Sequence, residues 1–297
     1  MIYKMIAMLL LLGIVGMLGA EILIPMDNTQ SNHLKAYGIA FQALKDQHVV
    51  KWLLNYRGGS FLFPDANDVI NYCNIRGVRY ERVSSAQVAA ILSEIQEANM
   101  EVVVLEKEPK IAVYIPPSIL PWDDAVSLAL EYAEIEYDRL WDEEVLSGEL
   151  NDYDWLHLHH EDFTGQYGKF YGAFRHTQWY QNDVRVNEAM AAKLGFSKVW
   201  KLKHAVAAKI RQFVENGGFL FAMCAATDTI DIALAAQGVD IVDSAIDGDG
   251  IDPNYMEKLD YSRTFAFENF RLLTNPFEYE FSDIDASDYS RLRGAEA

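Results

Sequence analysis

The chain has 297 residues, 51% of them apolar and 12% aromatic, which is ample for a buried core and excludes a largely disordered protein. A mean hydropathy of -0.06 excludes a polytopic membrane protein. The 44 acidic residues outnumber the 25 basic ones, giving a net charge of -19 that repels phosphate backbones, so nucleic acid is not an expected partner.

In chain order, Met1 to Lys4 is a short basic start, followed by an uncharged apolar run from Met5 to Ala20. Gly16, Gly19 and Ala20 cluster at its end, ahead of Glu21. This layout predicts a signal peptide over 1–20, with cleavage after Ala20. The run falls short of the roughly 20 residues that span a bilayer comfortably, so no stable membrane span is expected after cleavage. The protein is therefore expected to be exported, either periplasmic or secreted, with an uncleaved N-terminal anchor as the alternative. Two cysteines exclude a disulfide scaffold, but an oxidising compartment permits Cys73 and Cys224 to pair. Pairing requires their Cα atoms within about 7 Å.

A first region, 21–108, alternates strand and helix. Strands are expected at Ile22 to Met26, Val49 to Leu54, Phe61 to Phe63, Val78 to Val83 and Glu101 to Leu105. Helices are expected from Ser31 or Asn32, from Asp65 to about Ile75 with Gly77 ending it, and from Ser84 or Ser85 to about Asn99. A second region, 109–297, continues the alternation. Its strands are Ile111 to Ile115, Tyr137 to Leu140, Tyr153 to Leu158 and Phe219 to Met223. Its helices open at Pro121, Val199 and about Thr227. His159 to about Gln181 reads as a long functional or lid-like loop. Near-continuous apolar strands alternating with helices predict an α/β fold with a mostly parallel, doubly wound sheet. After about Asp240 the pattern fades, and no closing strand and helix are visible.

The sharpest chemical candidate is the strand–Cys–helix junction Gly217-Gly218-Phe219-Leu220-Phe221-Ala222-Met223-Cys224-Ala225-Ala226-Thr227. A nucleophile on such a turn is exposed at the carboxyl edge of the sheet, and the backbone N–H of Ala225 can hold an oxyanion. Ala222 and Ala226 stand where the usual elbow has glycine. The strands IAVYI and YDWLHL with this junction, over about 109–240, resemble the class I glutamine amidotransferase-like superfamily. The resemblance implies a flavodoxin-like fold and a cysteine acting with a later histidine and an acid. Here all seven histidines precede Cys224. An upstream His159 or His160 is the expected substitute base; otherwise the site is not catalytic.

Over nearly the whole mature chain, ILIPMDNTQSNHLKAYGIAF, WLLNYRGGSF, PWDDAVSLALEYAEI, YDWLHLHHEDFTGQYGKFY and NGGFLFAMCAATD resemble a group of exported proteins of Bacteroidetes-type bacteria commonly labelled asparagine synthetase B. The resemblance implies a relative shortened at its C-terminus. The motifs of that label are missing: position 2 is Ile2 rather than cysteine, and no Ser-Gly-Gly-x-Asp-Ser phosphate loop or other nucleotide motif is present.

A second candidate is His157-Leu158-His159-His160-Glu161-Asp162, at the carboxyl end of a strand, where ligands of open α/β sheets bind. His157, His159, His160 and Asp162 offer mixed nitrogen and oxygen ligands for a divalent metal, without a recognised spacing signature. Glu161, Asp162 and Tyr167 are also candidate ligand-binding residues, Tyr167 as part of a Gly-and-aromatic lid. Asn55, Arg57, Gly58 and Gly59 offer backbone N–H groups and a cation to an anion. Asp247, Asp249 and Asp252 resemble a calcium loop, but the twelfth position is Lys258, and a solvated acidic loop is the better reading. Three functions stay open: a thiol-dependent amide or ester hydrolase, a non-catalytic binding or scaffold domain, and a metal-dependent hydrolase. The expected ligand is a small molecule or a peptide- or glycan-type compound.

Overall fold

The computed structural model describes residues 20–117 and 125–285. The expected leader, Ala20 apart, lies outside them. Among the described residues, no helix is long and apolar enough to cross a membrane. The described residues are α/β and divide into two compact units, one of residues 20–108 with 127–136, the other of 109–117, 125–126 and 137–285.

The first unit holds β1 (Glu21–Ile24), α1 (His33–Lys45), β2 (Val50–Leu54), β3 (Ser60–Pro64), α2 (Asn67–Arg76), β4 (Glu81–Val83), α3 (Ser85–Glu97) and β5 (Glu101–Leu105). Local chemistry sets the helix ends. The Asn32 side chain accepts the Lys35 N–H at the start of α1. Ser84 and Gln87 form a reciprocal capping box on α3, and Gly77 closes α2 in the left-handed conformation.

The strand order is β4-β1-β3-β2-β5, and every pairing is antiparallel, which corrects the expected parallel sheet here. The short loop 55–59 joins β2 directly to β3, and a parallel partner would need a crossover of a dozen residues or more. Both sheet faces are nevertheless covered. Ile22, Ile24, Phe61 and Phe63 pack with α1 and α2, while Leu23, Leu53 and Leu62 pack with Val88, Ile91 and Ile95 of α3. Two covered faces remove the polar alternation that normally marks an antiparallel strand.

The helix α4 (Ala125–Ala133) runs into this unit. Tyr132 accepts a hydrogen bond from Asn32 at 2.7 Å, and Glu134 is paired with Lys35 at 2.6 Å and with Arg76. Gly38 of α1 is buried where an added Cβ would lie 1.7 Å from the Ala133 carbonyl oxygen.

The second unit holds β6 (Ile111–Tyr114), β7 (Asp138–Leu140), α5 (Asp142–Ser147), β8 (Trp155–Leu158), α6 (Tyr171–Phe174), α7 (Gln178–Lys193), α8 (Val199–Glu215), β9 (Phe219–Ala222), α9 (Ala226–Ala235), α10 (Ser244–Asp247) and α11 (Tyr255–Lys258). This four-stranded sheet, ordered β7-β6-β8-β9, is wholly parallel. Leu202, Val206, Ile210 and Phe213 of α8 pack with Ala112, Leu156, Leu158 and the inner face of α9. Ile232 and Ala235 on α9, with Ala236 just after it, pack against Phe270, Leu272 and Phe281. The faded C-terminal segment is therefore anchored without a regular strand: both Asp231 carboxylate oxygens accept the N–H groups of Phe265, Ala266 and Phe267 at 2.7–2.9 Å. The helix α7 begins inside the expected long loop.

Candidate functional site

Strand order reverses at β6: β7 lies on one side of it and β8 on the other. Open parallel sheets bind ligands at the carboxyl ends flanking such a reversal. A cavity of about 390 Å³ lies there, lined by Pro116 after β6, Trp141 after β7 and His160 to Asp162 after β8.

The loop after β8 is built around Asp162. One of its carboxylate oxygens accepts the Thr164 N–H and hydroxyl, both at 2.6 Å. The other accepts Gln166 N–H at 2.8 Å and Gly168 N–H at 3.0 Å. Glu161 accepts the His159 N–H at 2.6 Å, and its carbonyl accepts the Thr229 hydroxyl, tying the loop to α9. Tyr167 is buried and lines the cavity, and burial raises its phenol above the ordinary range. Lys169 is buried as well, donating to the carbonyls of Leu273 and Asn275 at 2.6 and 3.0 Å. Burial lowers its ammonium to about 8. The loop is thus a hydrogen-bonded structure with its own scaffold.

The junction after β9 has the geometry of an elbow. Met223 N–H still pairs with Leu158 at 3.0 Å, and α9 starts at Ala226. Between them Cys224 takes φ +50, a left-handed conformation that costs a side-chain-bearing residue about 1–2 kcal/mol. Its thiol-bearing residue is exposed. The Ala225 N–H makes no hydrogen bond among the described residues, whereas Ala226 N–H donates to Met223 and His159 carbonyls at 3.1 and 3.4 Å. Ala226 is completely buried, so a small residue is needed at the position of the usual glycine.

His159 therefore follows β8 beside the elbow, and its Nδ1 lies 3.1 Å from Nδ1 of His160, which lines the cavity. One ring must carry the shared hydrogen. His157 is elsewhere: it is buried in the sheet face, stacked on Phe221 at 5.3 Å. The structure does not gather His157, His159, His160 and Asp162 as a metal-ligand set, and the Asp162 oxygens are occupied by the loop. Among the described residues the set with converging ligand atoms is Asp240, Asp247 and Asp249. Lys198 already sits among them, 2.8 Å from the Asp247 carbonyl and paired with both Asp247 and Asp249.

The first unit's expected anion loop is also corrected. Arg57 donates to Asp27 at 2.7 Å and to Glu81 at 3.1 and 3.2 Å, so its guanidinium is fully engaged. The Thr29 hydroxyl first, then Arg57 and the Thr29 N–H, hold the Asp27 carboxyl far below its ordinary value. Asn55, Arg57, Gly58 and Gly59 all have positive φ, and a Cβ on Gly58 would lie 2.4 Å from the Met26 carbonyl oxygen. The loop is a tight hairpin turn locked by Arg57. Cys73 and Cys224, which an oxidising compartment would permit to pair, are both free. Burial pushes the Cys73 thiol up to about 12.

A cluster of three side chains escaped the sequence reading. Lys203, Asp142 and Tyr114 are each at least 96% buried. Lys203 donates to both Asp142 oxygens at 3.0 and 2.9 Å and to the Tyr114 oxygen at 3.2 Å, while Tyr114 donates to Asp142. The Lys203 ammonium also lies 3.7 Å from the centre of the Trp141 ring. Burial, then the Asp142 charge, raises the Tyr114 phenol well above its ordinary value, so it stays protonated. One sequence signal existed: Lys203 interrupts the apolar stripe of α8 between Val199 and Val206, and a buried lysine needs a partner. No family model, no curated protein and no solved structure matches the chain.

Proposed function

We propose that the parallel-sheet unit is an exported, thiol-dependent hydrolase of amides or esters, related in design to the class I glutamine amidotransferase-like proteins. The observation that carries this reading is the Cys224 elbow: an exposed cysteine held at φ +50 between strand and helix, with the neighbouring Ala225 N–H unengaged among the described residues. Strain of this kind persists where the surrounding structure enforces it, and it clusters at functional sites. In the proposed reaction the Cys224 sulfur bonds to the substrate carbonyl carbon, and its proton passes to His159 or His160. Ala225 N–H donates to the oxyanion. Collapse breaks the carbon–nitrogen or carbon–oxygen bond and the histidine returns the proton to the leaving group. Water then cleaves the thioester and restores the thiol. A non-catalytic binding domain is the second reading, favoured by the position of all seven histidines before Cys224.

The test is alkylation and turnover on the full chain. Iodoacetamide is expected to label Cys224 and to spare buried Cys73 in the native protein. Hydrolysis of p-nitrophenyl acetate is expected to fall at least 100-fold in Cys224→Ala, and a His159→Gln, His160→Gln double variant is expected to fall comparably. Unchanged hydrolysis in Cys224→Ala would remove the thiol reading and leave the binding domain.

A further inference from the structure

The cavity at the β6–β8 reversal has a charge and an aromatic character that the hydrolytic reading does not use. Three carboxylate residues line it: Glu161, Asp162 and Asp183. Lys203 is the one lysine or arginine among its described lining residues, and both Asp142 oxygens already hold it. Carboxylates therefore outnumber lysine and arginine side chains three to one in the described lining, which disfavours an anion.

The three carboxylates are not equivalent. Asp162 is saturated by four donors from its own loop, and Glu161 is engaged by the His159 N–H. Asp183 is different. Its Oδ1 accepts from the Asn187 side chain at 3.0 Å, and its Oδ2 has no hydrogen-bond partner among the described residues. Burial raises the Asp183 carboxyl, and the nearby Lys203 offsets that effect only in part. Asp183 therefore lacks a counter-charge of its own.

Aromatic walls stand beside it. Trp179 is one helical turn before Asp183 on α7, so both lie on one face of the helix. Both line the cavity together with Phe170, whose ring meets Trp179 edge-on at 5.5 Å. Trp179 is 49% exposed, at the open side of the cavity. Across the same cavity Lys203 shows how an ammonium is accommodated here, on an aromatic face with a carboxylate beside it. Asp183, Trp179 and Phe170 bring a carboxylate and aromatic rings to the lining of the same cavity.

We infer that this cavity binds a small organic ammonium compound, with Asp183 as its counter-ion and Trp179 and Phe170 as its aromatic wall. The volume of about 390 Å³ lies in the range of ordinary small-molecule sites. Cation–π contacts and a charge-assisted hydrogen bond to a carboxylate are the interactions that such a ligand collects. The inference needs no chemistry at Cys224.

The experiment is calorimetric titration of the full-length Cys224→Ala chain at low salt with three probes of one shape: 2-phenylethylamine, 2-phenylethanol and phenylacetate. Any heat is then independent of thiol chemistry, so failure of the hydrolytic reading and failure of this one are separate results. Saturable one-to-one binding of the amine is expected, with the alcohol at least tenfold weaker and the acid silent. Asp183→Asn, which keeps the side-chain shape, is expected to weaken the amine at least tenfold, and Trp179→Ala at least fivefold. Equal binding of amine and alcohol would overturn the inference, as would saturation by none of the three or undiminished amine binding in Asp183→Asn. The comparison of probes stands without the substitutions, should either variant fail to fold.

Discussion

Lys203 illustrates how one residue can be held by chemistry that periodicity hides. Its ammonium is out of water, with Asp142 completely buried beside it. A pair of this kind contributes little net stability relative to apolar residues of the same volume, but each partner makes the other tolerable. Removing one charge leaves the other buried and uncompensated. Lys203→Met is therefore expected to destabilise the protein by about 3–5 kcal/mol, measured by urea denaturation. The double substitution Lys203→Met, Asp142→Leu is expected to recover most of that loss, because no isolated charge remains. If the single and double variants proved equally unstable, packing around the stem, not charge, would be the cause.

At the scale of elements, apolar patterning located the strands and the strongly amphipathic helices well, the remaining helices of the second unit not at all, and the strand partners poorly. The stretches around β1, β2, β5, β6, β8 and β9 are legible because each is a short apolar run between turn residues. Their sheet was misread in the first unit because α1, α2 and α3 cover both faces, so antiparallel strands there carry no polar side. The short loop 55–59 was the better guide. Helix α7 was missed because it buries little, chiefly Tyr180, Asn187 and Ala191. The Cys224 elbow was legible from residue order, while the engagement of Arg57 and Asp162 was not, since their partners are set by tertiary and loop geometry. Gly38 shows how two elements can depend on one missing side chain. Alanine in mid-helix would ordinarily gain about 1 kcal/mol over glycine in propensity. Here its Cβ would meet the backbone oxygen of Ala133, which cannot swing aside as a flexible side chain does. Overpacking of about 1–3 kcal/mol is expected to win, so Gly38→Ala should lower the urea midpoint. A midpoint at or above the parent's would mean that the helix α4 backbone can give way there.

For the whole molecule, the dominant physical quantity is the excess of 19 negative charges at pH 7. Surface ion pairs such as Lys193–Glu143 use a few of the 25 basic residues and contribute little each. The unpaired acids repel one another across a folded surface more than across an expanded chain. Added salt shortens the range of that repulsion from about 30 Å at 0.01 M to about 3 Å at 1 M. It also weakens the surface ion pairs, which acts in the opposite direction, but the acidic excess outweighs them. Raising sodium chloride from 0.01 to 0.5 M is therefore expected to raise the thermal midpoint at pH 8. Near the isoelectric point of about 4.7 the net charge vanishes, so the same addition should leave the midpoint unchanged or lower it slightly. Thermal melts over this grid of pH and salt check the sign. A midpoint at pH 8 that falls with salt would mean that specific ion pairs, rather than net charge, set the electrostatic stability of the fold.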